Sequence, residues 1–282
     1  MDFNFSTEEL LIQQMAREFA EQYLRPEIRR IEKENRVPDE ILAGLAGLDL
    51  FGMNIPEQYG GAGAGYLSYV LAMEQIARVH CGPAMILSAH NLGLGAIVNF
   101  GTDEQKARFL PKAASGEHIF SFAFTEPGTG SDPKQLATTA VRRGDEFILN
   151  GTKRFISNAG YPGTLIVFAT EAESGAPTAF IVDKFCPGYS ISQPWEKLGW
   201  HGGDLVDVNL KDVVVPMDNV LGKIGEGYSI LQFGIAYGKI GMNSLALGST
   251  LAALELAVEY ANQRTHRGQP IAKFQAIQLK IA

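Results

Sequence analysis

Hydrophobic positions change their period twice along this chain. From residue 1 to about 119 they recur at helical spacing, from about 120 to 222 they alternate, and from about 224 onward helical spacing returns. In the first zone Ser6 with Glu9 three residues later forms a capping-box pattern. Leu10, Leu11, Met15, Phe19 and Leu24 follow on one helical face until Pro26 interrupts it. A second helix is predicted over Pro38 to Leu50, a third over about Tyr66 to Val79, and a fourth over Ala84 to Phe100 that is apolar enough to be central. Thr102-Asp103-Glu104-Gln105-Lys106 starts a short capped helix that ends before Ala114-Ser115-Gly116.

In the middle zone Glu146 to Leu149, then Asn150-Gly151, then Thr152 to Ser157 predicts a hairpin, because Asn-Gly favours a two-residue type I′ turn. Thr164 to Thr170, Thr178 to Val182, Tyr189 to Ser192 and Val206 to Val215 read as further strands. Ile230 to Thr265 predicts one very long helix with Gly234, Gly238, Gly241 and Gly248 along it, small residues that permit close approach. Pro270 follows, a new helix begins near Ala272, and its apolar pattern is still running at Ala282. The expected fold is α+β: an N-terminal helical bundle over 1–119, an antiparallel barrel-like β-domain over 120–223, and the first part of a C-terminal helical bundle over 224–282.

Composition narrows the function classes. A net charge of −7 and a pI near 5.3 leave no basic footprint for nucleic acid or anionic lipid. Cys81 and Cys186 lie far apart without metal-ligand spacing and read as reduced thiols, so no metal is expected. The start, Met1-Asp2-Phe3-Asn4-Phe5, carries no secretory pattern, and no uninterrupted apolar run is long enough to cross a bilayer. A cytoplasmic protein is expected.

The candidate chemistry sits at Ser121 to Asp132. An apolar alternating stretch turns abruptly into Thr125-Glu126-Pro127-Gly128-Thr129-Gly130-Ser131-Asp132. Gly128 and Gly130 allow positive φ and close backbone approach, and Thr129 and Ser131 add donors to an amide-rich, anion-binding turn. Such a strand end suits a planar, phosphate-bearing cofactor, with an ordinary Pro-Gly loop as the plain alternative.

Four segments, in this order, then carry a resemblance: Gly101 to Lys106 with Phe109 to Lys112 and Ser115-Gly116-Glu117; Thr125 to Asp132; Lys153 to Gly160; and Arg264-x-x-Arg267-Gly268-Gln269-Pro270-Ile271 with Phe274-Gln275. Together they resemble the acyl-CoA dehydrogenases, flavoproteins of fatty-acid metabolism, over the whole chain. The resemblance implies FAD as cofactor, an acyl-CoA substrate, electron-transfer flavoprotein as partner, and a homodimer or homotetramer. It implies that Phe122, Phe124, Thr125, Gly130 and Ser131 line the flavin, Thr125 at the pyrimidine side. Phe155 and Ile156 would lie along the ring and Ser157 near N5. Arg264 and Gln275 would reach the FAD of a neighbouring subunit, and Ser131 and Lys239 the acyl-CoA. Phe122 and Phe155 as plain core aromatics, and Arg264 as a solvated helix charge, remain the alternative readings.

The implied reaction removes a proton from the α carbon of a thioester and a hydride from the β carbon, the flavin taking the hydride. It needs a carboxylate base. In most of the family that Glu lies beyond the counterpart of Ala282; in a minority it lies on the long helix, where this chain has Gly238. Glu126 is the nearest carboxylate, but a structural role bonding backbone amides is expected for it. The catalytic base is therefore missing from these residues. The expectation is a dehydrogenase inactive as the 282-residue chain, truncated before further helices that carry a Glu. Ala236-Tyr237-Gly238-Lys239 replaces the family's Asp-x-Gly-Arg, and His201 stands in a loop where the family commonly has Arg; it is either a substrate contact or an unremarkable loop histidine. These departures leave open an oxidase or monooxygenase on the same fold, or a non-catalytic subunit that binds CoA thioesters.

Overall fold

The computed structural model describes residues 4–132 and 135–282; the reading of Met1–Phe3 falls outside them. Ser6 caps α1 (Thr7–Phe19) reciprocally: the Glu9 amide donates to Ser6 Oγ at 3.2 Å and the Ser6 amide to Glu9 Oε2 at 2.7 Å. Pro26 does not end the helical path. The chain passes through a π turn (Ala20–Leu24) and a 3-10 turn (Arg25–Glu27) into α2 (Ile28–Glu34), with Pro26 early in the tight turn, where a missing N–H costs little. Phe19 and Leu24 are buried as the spacing requires, whereas Leu10 and Leu11 are exposed.

Helices α3 (Asp39–Gly47), α4 (Gly65–Val79), α5 (Cys81–Phe100) and α6 (Asp103–Ala114) complete the first layer, α6 opening on a second capping box between Thr102 and Gln105. The middle layer is one eight-stranded sheet: β1 (Ser121–Ala123), β2 (Thr139–Arg143), β3 (Glu146–Ser157), β4 (Thr164–Glu171), β5 (Pro177–Asp183), β6 (Tyr189–Ile191), β7 (Leu205–Pro216) and β8 (Val220–Leu221). Its order is β6-β7-β3-β2-β4-β5-β8, with β1 added beside β4. Pairing is antiparallel except that β1 and β2 each run parallel to β4.

The hairpin expected at Asn150-Gly151 is not there. Those residues lie inside β3, which is continuous and pairs along its length with β7. Gly151 is extended and must lack a side chain because a Cβ would fall 2.4 Å from Thr138 Oγ1. Asn150 instead bonds Asp212, the left-handed residue of a bulge on β7, through Nδ2 at 3.1 Å and through its Oδ1 at 2.9 Å. The tight turn is at Gly144-Asp145, between Arg143 and Glu146. A two-residue turn with both central residues at positive φ does occur, at Arg267-Gly268, in the small hairpin of β9 (Thr265–His266) and β10 (Gln269–Pro270).

α7 (Gly227–Gln263) is the long helix, and α8 (Gln275–Ile281) follows the small hairpin. α5 and α7 are each long and apolar enough on average to cross a membrane by length and composition, although polar residues such as His90, Asn91 and Lys239 interrupt both. α5 is mostly buried as the central helix of this fold, and α7 packs along α4 and α5. One core cluster joins α5, α6, β1, β4 and the start of α7 through Leu94, Ile97, Leu110, Phe120, Ile166, Ile230 and Leu231. A second fills the sheet's interior with Phe147, Leu149, Ile156, Val167, Phe180 and Val208. The seam between sheet and helices, where β1 and the end of β3 meet α5 and α7, holds the site.

Candidate functional site

Strand β3 arrives at this seam with a bulge. Lys153 pairs with Val208 and Ile156 with Val206, so Arg154 and Phe155 together oppose Asp207. The bulge re-aims one side chain. Phe155 takes φ 59°, a conformation bulky residues avoid, and its ring is 49% exposed. It leans on Trp195, with ring centroids 5.4 Å apart. Beneath it Arg154 Nη2 meets Asp207 Oδ2 at 3.0 Å and Trp195 Nε1 donates to Asp207 Oδ1 at 2.9 Å. Burial acts to raise the Asp207 carboxyl, but these partners hold it below its ordinary range.

The end of β1 runs beside this bulge. The Arg154 amide donates to the Thr125 carbonyl at 2.7 Å. Phe122 packs on Phe168 with centroids 4.8 Å apart, and Phe124, buried, meets the same ring at 6.2 Å. The turn then closes on itself: Glu126 and Thr129 exchange backbone bonds of 2.8 and 3.1 Å around Pro127-Gly128. Thr129 Oγ1 donates to the Gln135 carbonyl, so the Thr129 donors are spent inside the turn. Neither Gly128 nor Gly130 adopts positive φ; the Cβ of any residue would find nothing closer than 3.9 Å at either position. Their value is the open approach they leave, with Gly130 and Ser131 exposed.

A buried ion pair fixes the turn to the bulge. Glu126 is 3% exposed and Lys153 fully buried, with Lys153 Nζ 2.6 Å from Glu126 Oε1. Glu126 also accepts from the Ala137 amide at 2.6 Å and the Thr138 amide at 3.0 Å, and Lys153 donates to the Phe124 carbonyl at 3.3 Å. Burial lowers the Lys153 ammonium to about 8 against the pull of Glu126. For Glu126 burial works upward, and Lys153 with the amides overcomes it and keeps the carboxyl ionised. Glu126 is thus consumed structurally, as its place in the turn suggested.

Between these strands and the helices lies a cavity of about 140 Å³ lined by Met85, Ser88, Ala89, Leu92, Phe122, Phe155, Ser157, Gly238 and Met242. Three of the expected site residues, Phe122, Phe155 and Ser157, meet here, joined by Gly238. The four glycines of α7 divide sharply. A Cβ at Gly234 would strike Phe122 at 2.7 Å, at Gly241 Ser88 Oγ at 2.5 Å, and at Gly248 the Glu74 carbonyl at 2.3 Å. At Gly238 the nearest atom is Leu92 Cδ1 at 3.3 Å, so this glycine opens space in the cavity wall.

Other expected residues lie elsewhere. The Ile156 side chain is buried in the interior of the sheet, facing away from the bulged ring. Lys239 is exposed on α7 beside Gly238. Arg264 caps α7, exposed and roughly 40 Å along the helix from Gly238 at about 1.5 Å rise per residue, and Gln275, also exposed, opens α8 beyond the small hairpin; neither lines the cavity. One chain does not bring them to the cavity. His201 pairs with Glu32 of α2, its Nδ1 2.5 Å from Oε2. Sequence reasoning missed Met85, Ser88, Ala89, Leu92 and Met242. Among the described residues no carboxylate lines the cavity.

The comparisons agree with this geometry. Residues 6–117 match the model of the acyl-CoA dehydrogenase N-terminal domain, 121–213 that of the middle domain and 225–282 that of the C-terminal domain. An acyl-CoA dehydrogenase of Bacillus subtilis (strain 168) is 40% identical over 98% of this chain and 74% of its own length. A 3-(aryl)acrylate reductase of Clostridium sporogenes is 41% identical over 99% of this chain and 75% of its own length. A solved chain from work on the electron transferring flavoprotein of Acidaminococcus fermentans superposes with a TM-score of 0.96 at 38% identity, covering 100% of this chain and 75% of that one. An acyl-CoA dehydrogenase of Bacillus anthracis complexed with FAD gives 0.93 at 35% identity, over 99% of this chain and 48% of that one. With three domain models matched in order, and a cavity formed where the sheet meets α5 and α7, the chain belongs to the acyl-CoA dehydrogenase family.

Proposed function

We propose that the chain binds FAD and an acyl-CoA thioester at the seam of sheet and helices, on the framework of an acyl-CoA dehydrogenase that acts on the α,β bond of the acyl group. The cofactor is FAD, and the enzyme class is an oxidoreductase acting on CH–CH donors. The convergence of Phe122, Phe155, Ser157 and Gly238 on one cavity carries the reading. The residues fit the cofactor on their own terms. A bulged strand spends backbone strain to present a half-exposed aromatic, which a stable core would not need. Beside it stand a serine hydroxyl and an open, uncharged Gly-rich turn.

In this reading Phe155 and Phe122 would pack on the flavin, Thr125 and the Gly128–Ser131 turn would hold it by hydrogen bonds, and the Ser157 hydroxyl would bond near N5. FAD, when bound, supplies the acceptor for the hydride from the β carbon. Met85, Leu92 and Met242 exclude water from the acyl end. Arg264 and Gln275 serve a neighbouring copy in a homo-oligomer, Ser131 and Lys239 contact the CoA portion, electrons pass to electron-transfer flavoprotein, and the protein works in the cytoplasm.

Among the described residues no carboxylate of the cavity wall can take the α proton, and Gly238 is the α7 glycine that would admit a side chain most readily, its Cβ meeting only the Leu92 side chain, at 3.3 Å. Binding without turnover is therefore what this cavity, with no wall carboxylate among the described residues, is expected to show. The test is anaerobic mixing of FAD-reconstituted protein with butyryl-CoA, read at the flavin absorption band. The expected result is a spectral shift on binding without bleaching in the native chain, and bleaching in Gly238→Glu. Absence of FAD binding by any concentrated sample removes the proposal. The lack of a wall carboxylate also favours a second reading, a subunit that holds CoA thioesters without chemistry; bleaching in either native protein or Gly238→Glu eliminates it, and binding without bleaching in both favours it.

A further inference from the structure

Both tryptophans of the chain, Trp195 and Trp200, lie in the segment 192–204 between β6 and β7. That segment is fastened at two ends. At the cavity end Trp195 bonds Leu205 through its amide at 2.8 Å and Asp207 through Nε1 at 2.9 Å, and its ring backs Phe155. At the other end it grips the N-terminal helices. The Val37 amide donates to the Gly202 carbonyl at 3.1 Å, the Gly202 amide donates to Asn35 Oδ1 at 3.0 Å, and His201 meets Glu32. Between them Lys197 Nζ donates to the Trp200 carbonyl at 2.8 Å and to the Gly203 carbonyl, folding the chain so tightly that Trp200 takes φ 56°. A bulky residue keeps that conformation only while its surroundings enforce it.

The protons at the grip can be assigned from geometry. His80 Nδ1 accepts from the Gly82 amide at 3.0 Å, so His80 carries its proton on Nε2, which faces Glu32 Oε1 at 3.0 Å. His80 is neutral, and burial pushes it further that way. His201 has an acceptor at each ring nitrogen: Glu32 Oε2 at Nδ1, and the Lys197 carbonyl 3.3 Å from Nε2. Both bonds exist together only in the imidazolium. The charged and titratable groups around it are Glu32 of α2, His80 at the start of α5, and Lys197 of its own segment, with Asp204 facing Lys197.

We propose that His201 is a positioning residue for the Phe155 wall: as an imidazolium bonded to Glu32 it holds the 192–204 segment so that Trp195 props Phe155, and its deprotonation slackens that prop. The consequence for the cofactor rests on the reading of Phe155 given above; the latch itself does not. The bond to Glu32 raises the His201 pKa above its ordinary value, with Lys197 opposing. A raised histidine contributes its contact fully below the unfolded value and loses it as pH rises through the folded one. The latch is therefore closed on the acid side of the His201 titration and released on its alkaline side, at a pH raised from the ordinary histidine value.

Because the two tryptophans report on this segment alone, the experiment is tryptophan emission of the full chain without added FAD from pH 5.5 to 9. Native protein is expected to show one red-shifting transition centred above the ordinary histidine value. His201→Arg, a permanent cation, should keep the low-pH emission throughout. Glu32→Gln, with circular dichroism to verify its fold, should move the midpoint down. A flat native profile, or an Arg variant that titrates like native protein, overturns the latch. FAD titration at pH 6 and 9 then reads the consequence: about two- to fivefold weaker binding at pH 9 in native protein, scaled to one exposed ion pair, and no change in His201→Arg. Emission that titrates while FAD affinity stays constant in pH refutes the positioning role. Failure to bind FAD at either pH counts against the flavin reading of the site, while the emission result still decides the latch.

Discussion

The two ends of the bulged segment Arg154–Ser157 are each held by a buried lysine, and the two lysines are neutralised differently. At the upstream end Lys153 meets a full carboxylate, Glu126, at 2.6 Å. At the downstream end Lys184 Nζ is held only by the carbonyls of Ile119 and Asn158, both at 2.7 Å. Asp204 lies nearby but spends its oxygens on the Asn158 amide at 2.5 Å and the Gly160 amide at 2.6 Å. Burial dominates both ammonium groups, and the pairing decides how far each falls: to about 8 for Lys153 and to about 7 for Lys184. An ion pair secures the cofactor-side turn, whereas a carbonyl cage secures the turn that connects β3 to β4. The difference teaches where the charge is indispensable. Lys153 and Glu126 stand or fall together, while Lys184 acts mainly as a donor.

The largest effect should come from breaking the pair. Glu126→Ala leaves a buried ammonium with one carbonyl and is expected to cost about 3–5 kcal/mol in urea unfolding. Lys184→Met removes a charge along with its donors, leaving the Ile119 carbonyl without this partner while the Asn158 carbonyl keeps the Tyr161 amide at 3.2 Å, and is expected to cost about 1–3 kcal/mol. Equal losses would erase the distinction between the two clamps. A smaller effect follows with pH. Between its folded value and about 10.4, each lysine binds fewer protons in the folded than in the unfolded chain, so these two groups make stability rise with pH. The rise begins near pH 7 for Lys184 and near pH 8 for Lys153. Lys184→Met should therefore lose the rise between pH 7 and 8 and about half of the slope above pH 8, where Lys153 alone still contributes, as read from urea midpoints at half-unit steps.

Much of the fold was legible because local signals and tertiary packing agreed. The capping boxes at Ser6 and Thr102, and the change of period near 120, each reflect a single element's own chemistry. The failures are positions where a distant neighbour overrode the local code. Asn150-Gly151 reads as a turn, but Thr138 needs the space over Gly151 and Asp212 takes the Asn150 amide, so the strand runs on. Arg267-Gly268 carries a weaker turn signal yet forms the positive-φ turn, because no neighbour within 4 Å crowds its glycine. For the site, Phe122, Phe155 and Ser157 were readable from the motif resemblance. The helix side of the cavity was not, since Met85, Leu92 and Met242 are ordinary core residues by pattern and acquire a role only when α5 and α7 flank the sheet edge. The clamp joins residues 27 apart in sequence, beyond the reach of any local pattern.

The smallest expected effect on stability belongs to Phe155, and it separates the segment from its clamps. Its neighbour Ile156 is buried in the sheet's interior, so Phe155 alone turns outward, at positive φ and half exposed. Asparagine tolerates that backbone better than any aromatic. Phe155→Asn loses a ring contact with Trp195 of about 0.5–1.5 kcal/mol and recovers backbone strain of about 1–2 kcal/mol, so the net change in urea unfolding should stay within about 1 kcal/mol. FAD affinity should nevertheless drop by about tenfold, because the lost aromatic face offers the cofactor nothing in exchange. A variant that unfolds several kcal/mol more easily would make Phe155 a core aromatic after all. A variant that keeps both stability and FAD affinity would mean that the bulge, with its strain and its two clamps, presents the ring to something other than a flavin.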